Sequence, residues 1–149
     1  MNKHLVQNLA DEILEFVPMY FKFINPIIHS DKELFLNENQ IKLIMMLNIN
    51  GTMNPTNLSI FMDMPKGSLT TIIDSLVEKN LITRENDSHD RRKKIIALTG
   101  KGRDFAKTKI NNNRVEFYEL FERFEEDSLK KITTGFRELT QNLKRIDKN

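Results

Sequence analysis

At 149 residues the chain fits one domain of ordinary size, long enough to bury a core without cross-links. Its composition, 39% hydrophobic and 30% charged with few Gly and Pro, excludes a disordered chain and favours a helix-rich globular one, and the lack of cysteine excludes disulfides, thiol redox sensing and cysteine-containing metal sites. The net charge of +2 is concentrated: residues 88–103 carry Arg91, Arg92, Lys93, Lys94, Lys101 and Arg103 against Asp90 alone, a local positive feature suited to a polyanion.

In chain order, Leu5, Leu9, Ile13, Phe16, Tyr20, Phe23 and Ile27 recur in steps of three and four, one face of a helix. Pro18 and Pro26 predict a bend or break in it. Asp11, Glu12 and Glu15 interrupt the layout of a signal peptide, and no apolar run is long enough for a bilayer, so a cytoplasmic protein without membrane contact is expected. Asn37 with Gln40 reads as a capping box that opens a helix buried through Ile41, Ile44, Met45 and Leu47 and stopped at Asn50-Gly51. Asn54-Pro55 starts a short helix with Leu58, Phe61 and Met62 inward. After Met64-Pro65 a second helix carries Leu69, Ile72, Ile73 and Leu76 on its apolar stripe, with Asn80 as a left-handed stop. Residues 81–84 and 94–98 read as the strands of a hairpin with a polar, basic tip. A long helix follows with Phe105, Ile110, Val115, Tyr118, Phe121 and Phe124 expected inside. A last helix repeats Leu129, Ile132, Phe136, Leu139, Leu143 and Ile146 as a heptad-like seam.

The fold class expected is mainly α with a small β-hairpin. A short helix turning into a second helix and then a two-stranded ribbon is the layout of a winged helix-turn-helix. Such a unit lays its second helix in the DNA major groove, while an arginine at the ribbon tip reaches the adjacent minor groove.

Residues 87–102, running from Asp87-Ser88-His89-Asp90-Arg91-Arg92 through a strand to Leu98-Thr99-Gly100-Lys101-Gly102, resemble the wing signature of the MarR family of transcriptional regulators. Residues 69–82 resemble that family's recognition helix and the start of its first wing strand. The match departs at His89, where Arg is common, at Asn80, where Gly is common, and at Pro65, a position often held by a polar cap. The resemblance implies a MarR-like domain over 1–149. Residues 37–98 would form the DNA-binding lobe, and residues 1–30 and 104–149 the dimerisation helices.

On this reading Lys66, Ser68, Thr70 and Thr71 are the candidates for base-edge and phosphate contacts. Arg91 is the minor-groove residue, and Arg92, Lys93 and Lys94 meet phosphates or brace the wing. Asp87 and Asp90 hold the wing arginines through charge-assisted bonds, and Asp74 anchors the recognition helix to a wing arginine. The terminal seams hold more apolar surface than a small winged unit needs, so a homodimer on a pseudo-palindromic site is expected. The resemblance further implies a repressor whose DNA affinity is changed by a small apolar or phenolic molecule. Phe16, Tyr20, Phe23, Met45 and Met46 are the candidate lining of its pocket, unless they serve simply as core.

No cofactor is expected. His4, His29 and His89 are far apart and show no metal-ligand spacing. No G-x-S-x-G, P-loop, G-x-G-x-x-G or H-E-x-x-H occurs, so an enzyme is not expected. Two alternatives to a sequence-specific regulator stand: a non-specific architectural DNA binder, and a winged module that binds another protein.

Overall fold

Asn2 caps the first helix by accepting the His4 N–H, and α1 then runs Lys3–Met19 in the computed structural model, which describes residues 2–29, 36–86 and 94–146. A π-helical turn, Tyr20–Ile24, joins α1 to the short α2, Asn25–His29. The expected break therefore falls between the two prolines. Pro26 has no N–H, and its ring crowds the carbonyl four residues back, that of Lys22, which the wider turn accommodates.

The capping box at Asn37 is complete: its side chain accepts the Gln40 N–H and its own N–H donates to Gln40 Oε1, both at 3.0 Å. It opens α3, Glu38–Asn50, which buries Ile41, Leu43, Ile44 and Leu47. Asn54 caps α4, Pro55–Met62, with Pro at the first helical position. Leu58 and Met62 face inward, but Phe61 does not and is 44% exposed. In so short a helix the buried face is one residue wide, and Phe61 sits about 100° round from Met62. Asp63 takes a left-handed conformation (φ 49°), and α5 follows as Lys66–Glu78, burying Leu69, Ile73 and Leu76.

Helix α5 closes on a left-handed Asn80 (φ 57°), as expected. The Asn80 and Leu81 N–H groups donate to the Val77 and Leu76 carbonyls, a Schellman closure. Leu81 is thereby taken by the helix end, so strand β1 is Ile82–Asn86 rather than 81–84. It pairs antiparallel with β2, Lys94–Leu98, in the register Ile82 opposite Leu98 to Asn86 opposite Lys94. Met53 adds a bridge: it exchanges two backbone bonds with Ile96 (3.1 and 2.8 Å), so the wing is fastened to the segment before α4.

Helix α6 spans Gly100–Phe121 and α7 spans Glu126–Ile146. The expected inner face of α6 is corrected. Its buried stripe is Gly102, Ala106, Lys109 and Asn113; Phe105 and Ile110 only flank it, and Val115, Tyr118 and Phe124 are exposed. The small residues win the inward position because the backbone of α6 packs on the Leu81 carbonyl (below). Lys109 is buried and its Nζ donates to the Ile27 carbonyl at 3.0 Å, tying α6 to α2.

The chain divides into two units, Met1–Arg114 and Val115–Asn149. The first holds the core, a continuous cluster drawn from α3, α4, α5, the hairpin and Ala106. In the second, Phe117 stacks on Phe121, which meets Phe124 edge-on with centroids 5.2 Å apart. No residue of α1 or α7 is buried, and the α7 seam shows Ile132, Leu139, Leu143 and Ile146 at its surface. Among the described residues no helix is long and apolar enough to cross a membrane.

Candidate nucleic-acid interface

The second helix of the helix-turn-helix is α5. Burial of Leu69, Ile73 and Leu76 turns its other side outward, and Lys66, Ser68, Thr70 and Thr71 are all exposed there. Pro65 supplies no side-chain cap, so the N–H groups of the first turn keep their donors for an outside acceptor such as a phosphate oxygen. The hydroxyls of Thr70 and Thr71 donate back to the carbonyls of Lys66 and Gly67 at 2.8 and 3.3 Å. With the proton spent inside the helix, each Oγ1 faces outward as an acceptor.

Lys66 and Thr70 meet the wing across a groove of about 420 Å³. Arg84 of β1 and Lys94 of β2 line it from the hairpin, with Leu69, Ile73 and Ile96 among its apolar lining and Pro55 and Thr56 of α4 beside them. Among the described residues three cations thus line this partly apolar groove. Arg84 is ion-paired with Asp74 of α5, both side chains about half exposed. Lys94 Nζ donates to Asn86 Oδ1 at 2.7 Å, closing the last described rung of the ladder.

Of the sequence-derived candidates, Lys66, Thr70 and Lys94 come together on this groove, while Ser68 and Thr71 lie on α5 outside it. Asp74 does meet an arginine of the wing, and that arginine is Arg84, which the sequence reading passed over. The signal available was a strand residue exposed beside a helix carboxylate, but it depends on the register of the hairpin. Asp87, Asp90, Arg91, Arg92 and Lys93, together with His89, lie outside the described residues. Phe16 and Phe23 are each a little under half exposed, Tyr20 is half-buried with its ring centroid 6.3 Å from that of Phe16, and Met45 and Met46 pack against the core cluster. Among the described residues no group of three or more His, Asp or Glu is placed to hold a metal ion.

Residues 36–94 match a family model described as the MarR family. Over its length the chain shares its fold with several solved structures. A MarR family protein from Bacillus stearothermophilus superposes with a TM-score of 0.72 at 20% identity, covering 97% of this chain and 99% of that one. A transcriptional regulator from Thermotoga maritima gives 0.69 at 18% identity, with 95% and 99% covered. BpsR of Bordetella bronchiseptica, whose DNA binding is regulated by 6-hydroxynicotinic acid, gives 0.63 at 15% identity, with 87% and 98% covered. No curated protein sequence matches.

Proposed function

We propose, from the match of residues 36–94 to the MarR family model, that the chain is a sequence-specific double-stranded DNA-binding transcriptional regulator, a repressor acting as a homodimer on a pseudo-palindromic operator. The observation that carries this reading is the exposed side of α5, with Lys66 and Thr70 facing Arg84 and Lys94 across one groove. A helix with an uncapped N-terminus, outward hydroxyl acceptors and flanking cations has what a major-groove reader needs: phosphate donors for position and short polar groups for base edges. Arg91 serves the minor groove, Arg92 and Lys93 the phosphates, and Asp87 and Asp90 hold these arginines, as the wing signature implies. The function carries with it a cytoplasmic location and requires no catalytic residue or cofactor.

The homodimer is supported by α1 and α7. Both are long helices with no buried residue and an apolar stripe at the surface, including Leu5, Leu9 and Ile13 on one and Ile132, Leu139 and Leu143 on the other. Exposed stripes of this length are covered by a partner far more often than they are left to water. A small apolar or phenolic effector is the proposed modulator, with Phe16, Tyr20, Phe23, Met45 and Met46 as the candidate lining. The regulation of BpsR by an aromatic acid is the nearest support for it. Such a ligand shifts DNA affinity only as far as it prefers one spacing of the two reading heads.

Selection from a duplex library at two salt concentrations tests the reading. Enrichment of a palindromic site is the expected result. Binding that falls with salt and enriches nothing would replace the regulator with an architectural binder, and no binding at low salt would favour a protein partner.

A further inference from the structure

Past its last residue, Glu78, helix α5 runs out through Lys79, Asn80 and Leu81, whose carbonyls have no acceptor role within the helix. All three are taken by one short segment that follows the hairpin, residues 99–101. Lys101 Nζ donates to the Lys79 carbonyl at 3.1 Å, Thr99 Oγ1 to that of Asn80 at 2.7 Å, and the Thr99 N–H to that of Leu81 at 3.1 Å. Thr99 Oγ1 also accepts the Gly102 N–H at 2.9 Å, so one hydroxyl caps α6 and holds α5. At Gly102 the two backbones touch: a Cβ there would lie 2.0 Å from the Leu81 oxygen.

We propose that Thr99 is a positioning residue for DNA reading: it locks the end of the recognition helix α5 onto the first turn of α6, so that the two helices turn as one body. This rests on the DNA-binding reading above and deepens it. The hairpin is fixed to α5 by the Asp74–Arg84 pair and to the pre-α4 segment by Met53, but neither fixes α5 to α6. The Thr99 bonds do, and α6 continues without interruption to Phe121. A change in the direction of α6 is then carried to α5 undiminished, and the distance between two α5 helices in a dimer is held to one value. Without the hydroxyl, α5 keeps its own fold and its exposed side chains but gains freedom to swing.

The test compares wild type with Thr99→Val, which keeps the shape and loses the hydroxyl, and Thr99→Ser, which keeps the hydroxyl. Each is titrated with the operator selected from the library, with the same half-sites moved apart by one base pair, and with random duplex. Wild type is expected to bind the native spacing at least tenfold more tightly than the altered one. Thr99→Val is expected to lose about fivefold to tenfold on the native spacing and little on the altered one, so that discrimination shrinks, while binding to random duplex holds. Thr99→Ser is expected to follow wild type. Should Thr99→Val fail to fold, Lys101→Met, which removes the bond to Lys79 and one positive charge, takes its place: the lost charge lowers affinity on every duplex alike, and the lost bond must shrink the same discrimination between spacings. Unchanged spacing discrimination in the folded variant overturns the proposal. Failure of wild type to select any operator overturns the underlying reading of a sequence-specific regulator instead, which separates the two.

Discussion

Asp74 and Arg84 are each about half exposed, so their ion pair sits in high dielectric and holds the wing to α5 with little energy, on the order of 0–1 kcal/mol. Asp74→Asn is therefore expected to leave urea stability within about 1 kcal/mol of wild type. Arg84→Met removes a cation from the groove as well. Its DNA affinity is expected to fall on all sequences alike, with the salt slope smaller by about 1, measured by titration across a salt series. Thr70→Val behaves differently. It keeps the shape but deletes an outward acceptor, and is expected to relax preference at one operator position by about 1 kcal/mol while the salt slope stays constant. Selected operators with and without the variant give the comparison, and an equal loss on every sequence would move Thr70 from base to phosphate. At this scale the sequence makes Asp74 legible as a carboxylate facing a wing arginine, but not which arginine. The partner follows from the register that sets Arg84 opposite Ile96, and register is a property of the folded hairpin.

The elements show why caps were easier to read than faces. Asn37 with Gln40, Asn54-Pro55 and the left-handed Asn80 are local, each settled by a few residues and their own backbone, and all stand where the sequence puts them. The inner face of α6 is not local. By hydrophobicity Phe105 and Val115 outrank Gly102 and Ala106, but the carbonyl of Leu81 comes too close for anything larger than glycine. Close approach of two backbones thus overrides the apolar pattern and sets the rotation of the whole helix. Gly102→Ala is expected to cost about 3 kcal/mol or more, because a Cβ 2.0 Å from a backbone oxygen forces the two elements apart rather than a side chain aside. Gly100→Ala, with open space around its Cβ, is the control and is expected to change stability by less than about 0.5 kcal/mol. The denaturation midpoints of the two variants decide it; equal midpoints would mean that α6 slides along Leu81 at no cost.

For the whole molecule, the terminal helices pose the largest energetic question. The 17 residues of α1 and the 21 of α7 bury no residue within the chain, yet most of a helix's stability in a protein comes from packing its apolar face rather than from propensity. Apolar surface at positions such as Leu5, Leu9, Ile132 and Leu143 is worth about 25 cal/mol per Å² once covered, and a second copy of the chain offers the same stripes for the purpose. The seam spacing makes that surface legible in the sequence, whereas its partner is set by assembly. Leu143→Glu puts a charge on the seam, and a buried unpaired charge costs several kcal/mol. Wild type is expected to sediment as a dimer at micromolar concentration and Leu143→Glu as a monomer with α5 and the wing intact. The monomer's affinity for a single half-site should match that of wild type, since nothing on the exposed side of α5 has changed. On the full operator it should fall by a factor of about 100 or more, because the second half-site no longer arrives at the high effective concentration that the first provides. A wild-type monomer, or a Leu143→Glu protein that binds the full operator as tightly as wild type, would show that each chain reads DNA alone and that the apolar stripes serve another purpose.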